Sequence, residues 1–270
     1  MSTNITTENT LILGLAAGYH YGDVCPFLAS LEECGYKGTT VLFTSPTTRD
    51  LHKMKEHNAT ILPFEPEAKY RELSYNAQRY PLYLSFLKST DHKWDKILIT
   101  DVRDVIFQQS PFSFSWDTGL NITLEDESKT IGTCPFNSHW VRQHMGKDIF
   151  QQVKDFQISC SGTTVGDHES VVAYLEMMTD ALLPFNPPSG TDGMGGYDQG
   201  IHNVLIHTEQ LECTRHDNSG PILTLAYKQQ LPDENSEGKI LNDNGAPAVL
   251  VHQYDRKPEL FKKIRQKYIK

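Results

Sequence analysis

Three short runs of apolar and β-branched residues, set a helix length apart, constrain this chain's fold more than any other feature. Thr10 to Ala17 (TLILGLAA) is almost uniformly apolar, as in a central strand covered on both faces. Thr39 to Thr44 (TTVLFT) and Thr60 to Phe64 (TILPF) are further strands. Between the first two lies a helix with Phe27, Leu28 and Leu31 on one face and Gly35 as its stop. Thr47 and Thr48 are expected to cap a second helix through about His57. This order predicts a βαβαβ unit with a parallel sheet, and such sheets bind ligands beyond the carboxyl ends of their strands.

The turn Gly18-Tyr19-His20-Tyr21-Gly22-Asp23 falls on that edge. It matches neither GxGxxG nor GxxxxGK[ST], so a nucleotide held there is held differently. The same residues also read as an ordinary strand-to-helix turn.

A fourth strand, Lys96 to Thr100 (KILIT), ends in a burst of charge: Asp101, Arg103 and Asp104. Two carboxylates at the edge of a buried strand repel each other unless a cation or basic partner neutralises them. Oxygen ligands of this kind suit Mg2+ or Mn2+, which often bridge to a substrate phosphate. The alternative is a turn in which the two Asp residues cap the next segment and pair with Arg103.

Leu73 to Lys88 carries Tyr75, Arg79, Leu82, Tyr83, Phe86 and Leu87 at helical spacing, with Pro81 marking a start or a kink. The aromatic stripe reads as core, and Arg79 either meets a phosphate or lies on the surface. Ile131 to Cys134 and Gln157 to Val165 read as strands, and Asn137 to Lys147 as a surface helix in preference to a metal site. Glu169 to Leu183 is a helix, followed by a Pro- and Gly-rich stretch, Leu183 to Tyr197, that is a linker or a functional loop. Asp198 and Gln199 then open another helix, as caps or as groups pointing at a substrate. Residues 210–245 hold short strands and turns, Ala248 to Val251 is a final buried strand, and a basic helix closes the chain.

At 270 residues with 38% hydrophobic and 22% charged content, the chain has the composition of one large globular domain. A net charge of −9 argues against nonspecific nucleic-acid binding. No apolar run approaches a membrane span, and the polar amino terminus is unlike a signal peptide. Five scattered cysteines without a CxxC pair fit a reducing compartment, so the expected location is cytoplasmic, or the chain is a fragment freed of an anchor.

In this order the motifs resemble the GT-A-fold glycosyltransferases, of the glycogenin-like and bacterial galactosyltransferase type. Residues 10–22 are similar to the family's first strand and nucleoside-binding turn, and ILITDVRDVIF to the strand bearing its Asp-x-Asp motif. SCSGTTVG is similar to its NSG strand, GYDQGIHN to its Asp-Gln helix start, and VLVHQYDRKP to its closing strand, with a metal-binding His and a phosphate-contacting Lys. One departure is Asp-Val-Arg-Asp in place of Asp-x-Asp, which leaves open which carboxylate holds the metal and allows Arg103 to share its work.

The resemblance implies a single GT-A (Rossmann-like) α/β domain with a mixed, mostly parallel central sheet flanked by helices. A nucleotide-binding half covers about 10–110, an acceptor half about 111–260, and a basic helix 261–270. It implies Mn2+ or Mg2+ held by Asp101, Asp104 and His252. The donor, expected to be a UDP-linked hexose or a pentose such as xylose, would meet Ala16, Ala17, Gly18, His20, Arg79, Asp101, Val102, Arg103 and Lys257. Ser161, Gly162, Asp198 and Gln199 would face the donor sugar and a glycan or other hydroxyl acceptor, with Asp198 the catalytic candidate. Residues 189–196 would form a lid. The alternatives are a nucleotidyltransferase, disfavoured because residues 18–26 lack its Gly-rich basic signature, and a non-catalytic nucleotide- or sugar-binding module.

Overall fold

The computed structural model describes residues 8–183 and 196–269. The first half contains β1 (Thr10–Leu15), α1 (Tyr21–Glu33), β2 (Thr39–Thr44), α2 (Leu51–Met54), β3 (Thr60–Pro63), α3 (Tyr75–Lys88), β4 (Lys96–Thr100), β5 (Val105–Phe107) and β6 (Leu120–Leu124). The second contains α4 (Pro135–His144), α5 (Lys147–Val153), β7 (Ser159–Gly166), α6 (His168–Ala181), α7 (Tyr197–His207), β8 (Cys213–His216), β9 (Ile222–Thr224), β10 (Leu250–His252) and α8 (Pro258–Tyr268).

The central sheet has the order β3-β2-β1-β4-β7-β6-β8. β1, β2, β3 and β4 pair in parallel, as the strand-helix alternation requires. β7 is antiparallel to both its neighbours, and β8 is parallel to β6, so β7 alone runs against the rest. A second sheet, β5-β10-β9, pairs His252 with Val105 and Thr224.

Apolar side chains fill both faces of the large sheet. Leu11, Leu13, Phe43, Tyr80, Tyr83 and Tyr174 pack on one, and Ile12, Phe27, Leu28, Leu42, Leu98 and Val105 on the other. Burial on both sides explains why β1 and β4 read as continuous apolar runs. The aromatic stripe of α3 is core at Tyr80 and Tyr83, both fully buried, and Pro81 lies inside that helix rather than at its start.

Two local expectations are corrected. Thr47 and Thr48 do not cap α2, which starts later, after Asp50. The Thr48 hydroxyl instead donates to the Ala16 carbonyl at 2.8 Å and accepts from the Ser45 backbone N–H at 3.0 Å, tying the end of β2 to the end of β1. Side-chain bonding of Thr to nearby backbone competes with capping at such a position. Ile131 to Cys134 is not a strand: one bridge, Thr130 to Gln157, is followed by a turn in which Cys134 becomes the N-cap of α4. The residues expected to form a lid lie, up to 195, outside the described residues.

Candidate active site

β4 delivers Asp101 to the carboxyl edge of the sheet, and the tight connection to β5 brings Asp104 beside it. β10 is hydrogen-bonded to β5, so the chain returns His252 to the same point. His252 Nε2 lies 3.3 Å from Asp101 Oδ2 and 3.9 Å from Asp104 Oδ1. One donor atom from each of the three falls within 4.8 Å of the other two. The His252 ring is fully buried, and its Nδ1 lies 3.7 Å from the Cys160 thiol, leaving Nε2 on the carboxylate side.

These donors fit a divalent cation. Two carboxylates and an imidazole match the ligand preferences of Mn2+ or Mg2+ and leave coordination positions for phosphate. Gly162 completes the cradle. A Cβ there would stand 2.5 Å from His252 Cε1 and 2.6 Å from Asp101 Oδ2, within the space a cation would need. Gly162→Ala is therefore expected to weaken Mn2+ affinity about 10- to 100-fold, the usual scale for disturbing the surroundings of metal ligands. Titration of free Mn2+ by its electron paramagnetic resonance signal checks this; unchanged affinity removes the cradle from the site.

The electrostatics agree with a cation site. Burial works to raise the Asp101 carboxyl, but Arg79 and His252 overcome it and hold it down at about 2. Asp104 is pushed up to about 6 by burial, against the pull of His252 and with help from the Asp101 charge. Burial also opposes protonation of His252, yet Cys160 and the two carboxylates raise it well above the usual range. A cation would take over the neutralisation that these groups otherwise obtain from protons.

Arg79 organises the opposite wall. It is 4% exposed, and Nη1 donates to Asp101 Oδ1 at 2.5 Å. Nη2 is shared among Asp198 Oδ2 (3.1 Å), the Ser161 carbonyl (3.0 Å), the Ser161 hydroxyl (3.3 Å) and Tyr80 Oη (3.0 Å). Asp198 sits in the first turn of α7, whose N-cap is Gly196, so it is no cap. Burial raises its carboxyl, with Arg79 opposing, and Oδ1 has no hydrogen-bond partner among the described residues.

Two connecting cavities meet at this cluster. The smaller, about 210 Å3, is lined by Leu15, Tyr19, Tyr83, Thr100, Val102 and Arg103. The larger, about 500 Å3, is lined by Glu125, Phe136, Trp140, Ser161, Gly162, Asp198, Gln199 and Tyr227, among others. Asn76, Arg79, Asp101, Asp104 and Arg256 belong to both.

The expected site residues thus divide. Asp101, Asp104, His252, Arg79, Val102, Arg103, Ser161, Gly162, Asp198 and Gln199 converge. Ala16 and Ala17 are buried, Gly18 adopts φ 75°, and none of the three lines either cavity; flanking Leu15 and Tyr19 do. His20 is the N-cap of α1, its backbone N–H donating to Asp23 Oδ2 at 3.2 Å. Lys257 donates to the Lys228 carbonyl, and its neighbour Arg256 reaches the cavities instead.

Glu125 was not singled out by the sequence. It follows β6, is 2% exposed, and burial pushes its carboxyl up to about 7. Gln199 Nε2 donates to Oε1 at 3.4 Å, while Oε2 has no partner among the described residues. The detectable signal was the one that marked Asp101: a carboxylate directly after a β-branched strand. The expected surface helix α4 likewise proves to wall the larger cavity, through Phe136, Asn137 and Trp140.

No protein-family model and no curated protein matches the sequence. In three dimensions the chain is similar to the galactosyltransferase LgtC solved with donor and acceptor sugar analogues (TM-score 0.56, 13% identity, 96% of each chain covered). It is also similar to an active-site mutant of LgtC (TM-score 0.57, 13% identity, 96% of each chain covered). The likeness over nearly the whole of both chains shows the GT-A fold.

Proposed function

We propose that this GT-A chain is a glycosyltransferase that moves a sugar from a nucleotide-diphosphate donor to a hydroxyl acceptor. The observation that carries the reading is the Asp101, Asp104 and His252 cluster on the ligand edge of the sheet, whose two carboxylates line both cavities while the fully buried His252 lies within reach of them. A diphosphate placed at the junction has room for a nucleoside in the smaller cavity and for a sugar and an acceptor in the larger. We assign Mn2+ or Mg2+ to the three donors and UDP to the carrier. The cation's chemistry would be neutralisation of the diphosphate leaving group.

The protein's own groups do the rest. Arg79 fixes Asp101 and Asp198, adding a charge that no rotation can withdraw, because its guanidinium is bound on several sides. Asp198, with one oxygen committed to Arg79 and Tyr80, keeps Oδ1 for the donor sugar or for the attacking hydroxyl. Glu125, half ionised near neutral pH, suits uptake of the acceptor proton. Phe136 and Trp140 offer apolar walls of the kind that accommodate a sugar face. Residues 10–110 would hold the nucleotide and 111–260 the acceptor. Five free cysteines support a reducing, cytoplasmic location, and no helix among the described residues is long and apolar enough to cross a membrane.

The test is a thermal-shift screen of nucleotide diphosphates and nucleotide sugars with Mn2+, Mg2+ or chelator, followed by donor hydrolysis without acceptor. A ligand at a hundred times its dissociation constant raises stability by about 2.7 kcal/mol. A metal-dependent shift with UDP, with slow release of free sugar from one UDP-sugar, is the expected result. Binding without hydrolysis would favour the non-catalytic module, and absence of any shift would sink the reading.

A further inference from the structure

Arg103 occupies the place where an Asp-x-Asp motif would have its second carboxylate, and the structure gives it a different partner. Its Nη1 donates to Asp255 Oδ2 at 3.2 Å, and Arg256 Nη1 lies 3.6 Å from the same oxygen. The Asp255 side chain is 9% exposed, while the two arginine side chains are 46% and 56% exposed. A buried carboxylate thus grips two half-open guanidiniums from behind. Both line the smaller cavity together with Asp101 and Asp104, and Arg256 extends into the larger one.

Neither arginine forms an ion pair with Asp101 or Asp104 among the described residues; Arg79 and His252 supply those pairs. Asp255 uses only part of the donor capacity of two planar guanidinium forks, which match phosphate oxygens in spacing. The loops that carry them are also stitched together. Tyr254 Oη donates to the Arg103 carbonyl at 2.9 Å, and the Gln253 backbone N–H donates to the Asp104 carbonyl at 2.8 Å. Lys257 is held away on the Lys228 carbonyl.

We propose that Arg103 and Arg256, braced by Asp255, form an anion clamp for the diphosphate of the ligand, so that nucleotide binding persists in part without a metal ion. The inference rests on the reading of the junction as a nucleotide-diphosphate site. Electrostatics favours it: the ionised carboxylates at the junction repel an incoming diphosphate, and two cations lining the same cavity offset that repulsion. Arg256 thereby takes the role that the sequence resemblance gave to Lys257.

Calorimetric titration of the full chain with inorganic pyrophosphate, UDP and uridine, in chelator and in Mn2+, tests the clamp. Wild type is expected to bind pyrophosphate and UDP in chelator, and R103A and R256A each to weaken both about tenfold, the worth of one charge-assisted hydrogen bond. Uridine affinity should stay unchanged, and melting curves should show that the variants fold. If the variants bind pyrophosphate in chelator as wild type does, or if wild type binds it only with Mn2+, the clamp is wrong while the transferase reading stands. If pyrophosphate binding follows the arginines but no nucleotide sugar is bound or hydrolysed with any metal, the clamp stands and the transferase reading falls.

Discussion

Arg79→Ala is expected to destabilise the fold by about 3–5 kcal/mol, the cost of breaking a buried ion pair from one side. The guanidinium lies 2.5 Å from Asp101 and 3.1 Å from Asp198, and the Asp198 side chain is 3% exposed. Truncation would leave Asp198 charged without a cation, or force it to take up a proton. Among the described residues Tyr80 Oη would be its remaining side-chain donor, at 3.3 Å. A double variant separates this from lost packing. Arg79→Ala with Asp198→Asn should recover part of the stability in urea denaturation, because the amide needs no counter-charge, yet remain inactive in donor hydrolysis. A double variant no more stable than the single one would show that packing, not the uncompensated carboxylate, sets the cost. Arg79→Lys should rescue poorly, since a point charge cannot bridge two carboxylates and the Ser161 carbonyl as a fork does.

Glu125→Gln is expected to stabilise the protein above neutral pH while removing activity. In the unfolded chain this carboxyl titrates near 4.5, and in the fold burial pushes it up to about 7. Between those values the native state keeps a proton that the unfolded state has lost, so stability falls as pH rises and levels off above the folded pKa. The displacement corresponds to about 3 kcal/mol, lost progressively from pH 4.5 to 7. Gln keeps an acceptor for Gln199 and cannot ionise, so its melting temperature should exceed that of wild type by more at pH 8 than at pH 5. An equal difference at both pH values would mean that Glu125 is not the titrating group. Sites tuned for chemistry often carry such a cost in stability.

The fold was legible where burial on both faces erased periodicity: β1, β2 and β4 read directly as apolar runs, and their parallel pairing followed from the helices between them. The reversal of β7 was not legible, because direction depends on which neighbours a strand finds and not on its own residues. The acidic cluster was visible as charge abruptly ending a buried strand. Arg79 was harder, since one Arg on an aromatic helix is marked by nothing local; partners from distant segments, Asp101, Ser161 and Asp198, satisfy it in its buried position. Glu125 escaped for a similar reason. Its carboxyl is raised by burial, against the hydrogen bond from Gln199 of α7, and neither is visible from its neighbours in the chain. Lys257 and Arg256 differ by one position, and after the turn at Gln253 (φ 59°) and the following 3-10 turn it is Arg256 that lines the cavities while Lys257 bonds the Lys228 carbonyl.

Pairing between β5 and β10 joins segments far apart in the chain, with Asp101 and His252 separated by 151 positions. At the usual ribosomal rate of about 5–20 residues per second, the imidazole is made on the order of ten seconds after the carboxylates. During that interval the parallel half can assemble from local contacts, but Asp101 and Asp104 have no buried histidine beside them. A cation bound by all three groups, as proposed, would have to wait until β10 docks on β5. A chain cut short before β10 would lack His252 and the β5–β10 pairing that places it.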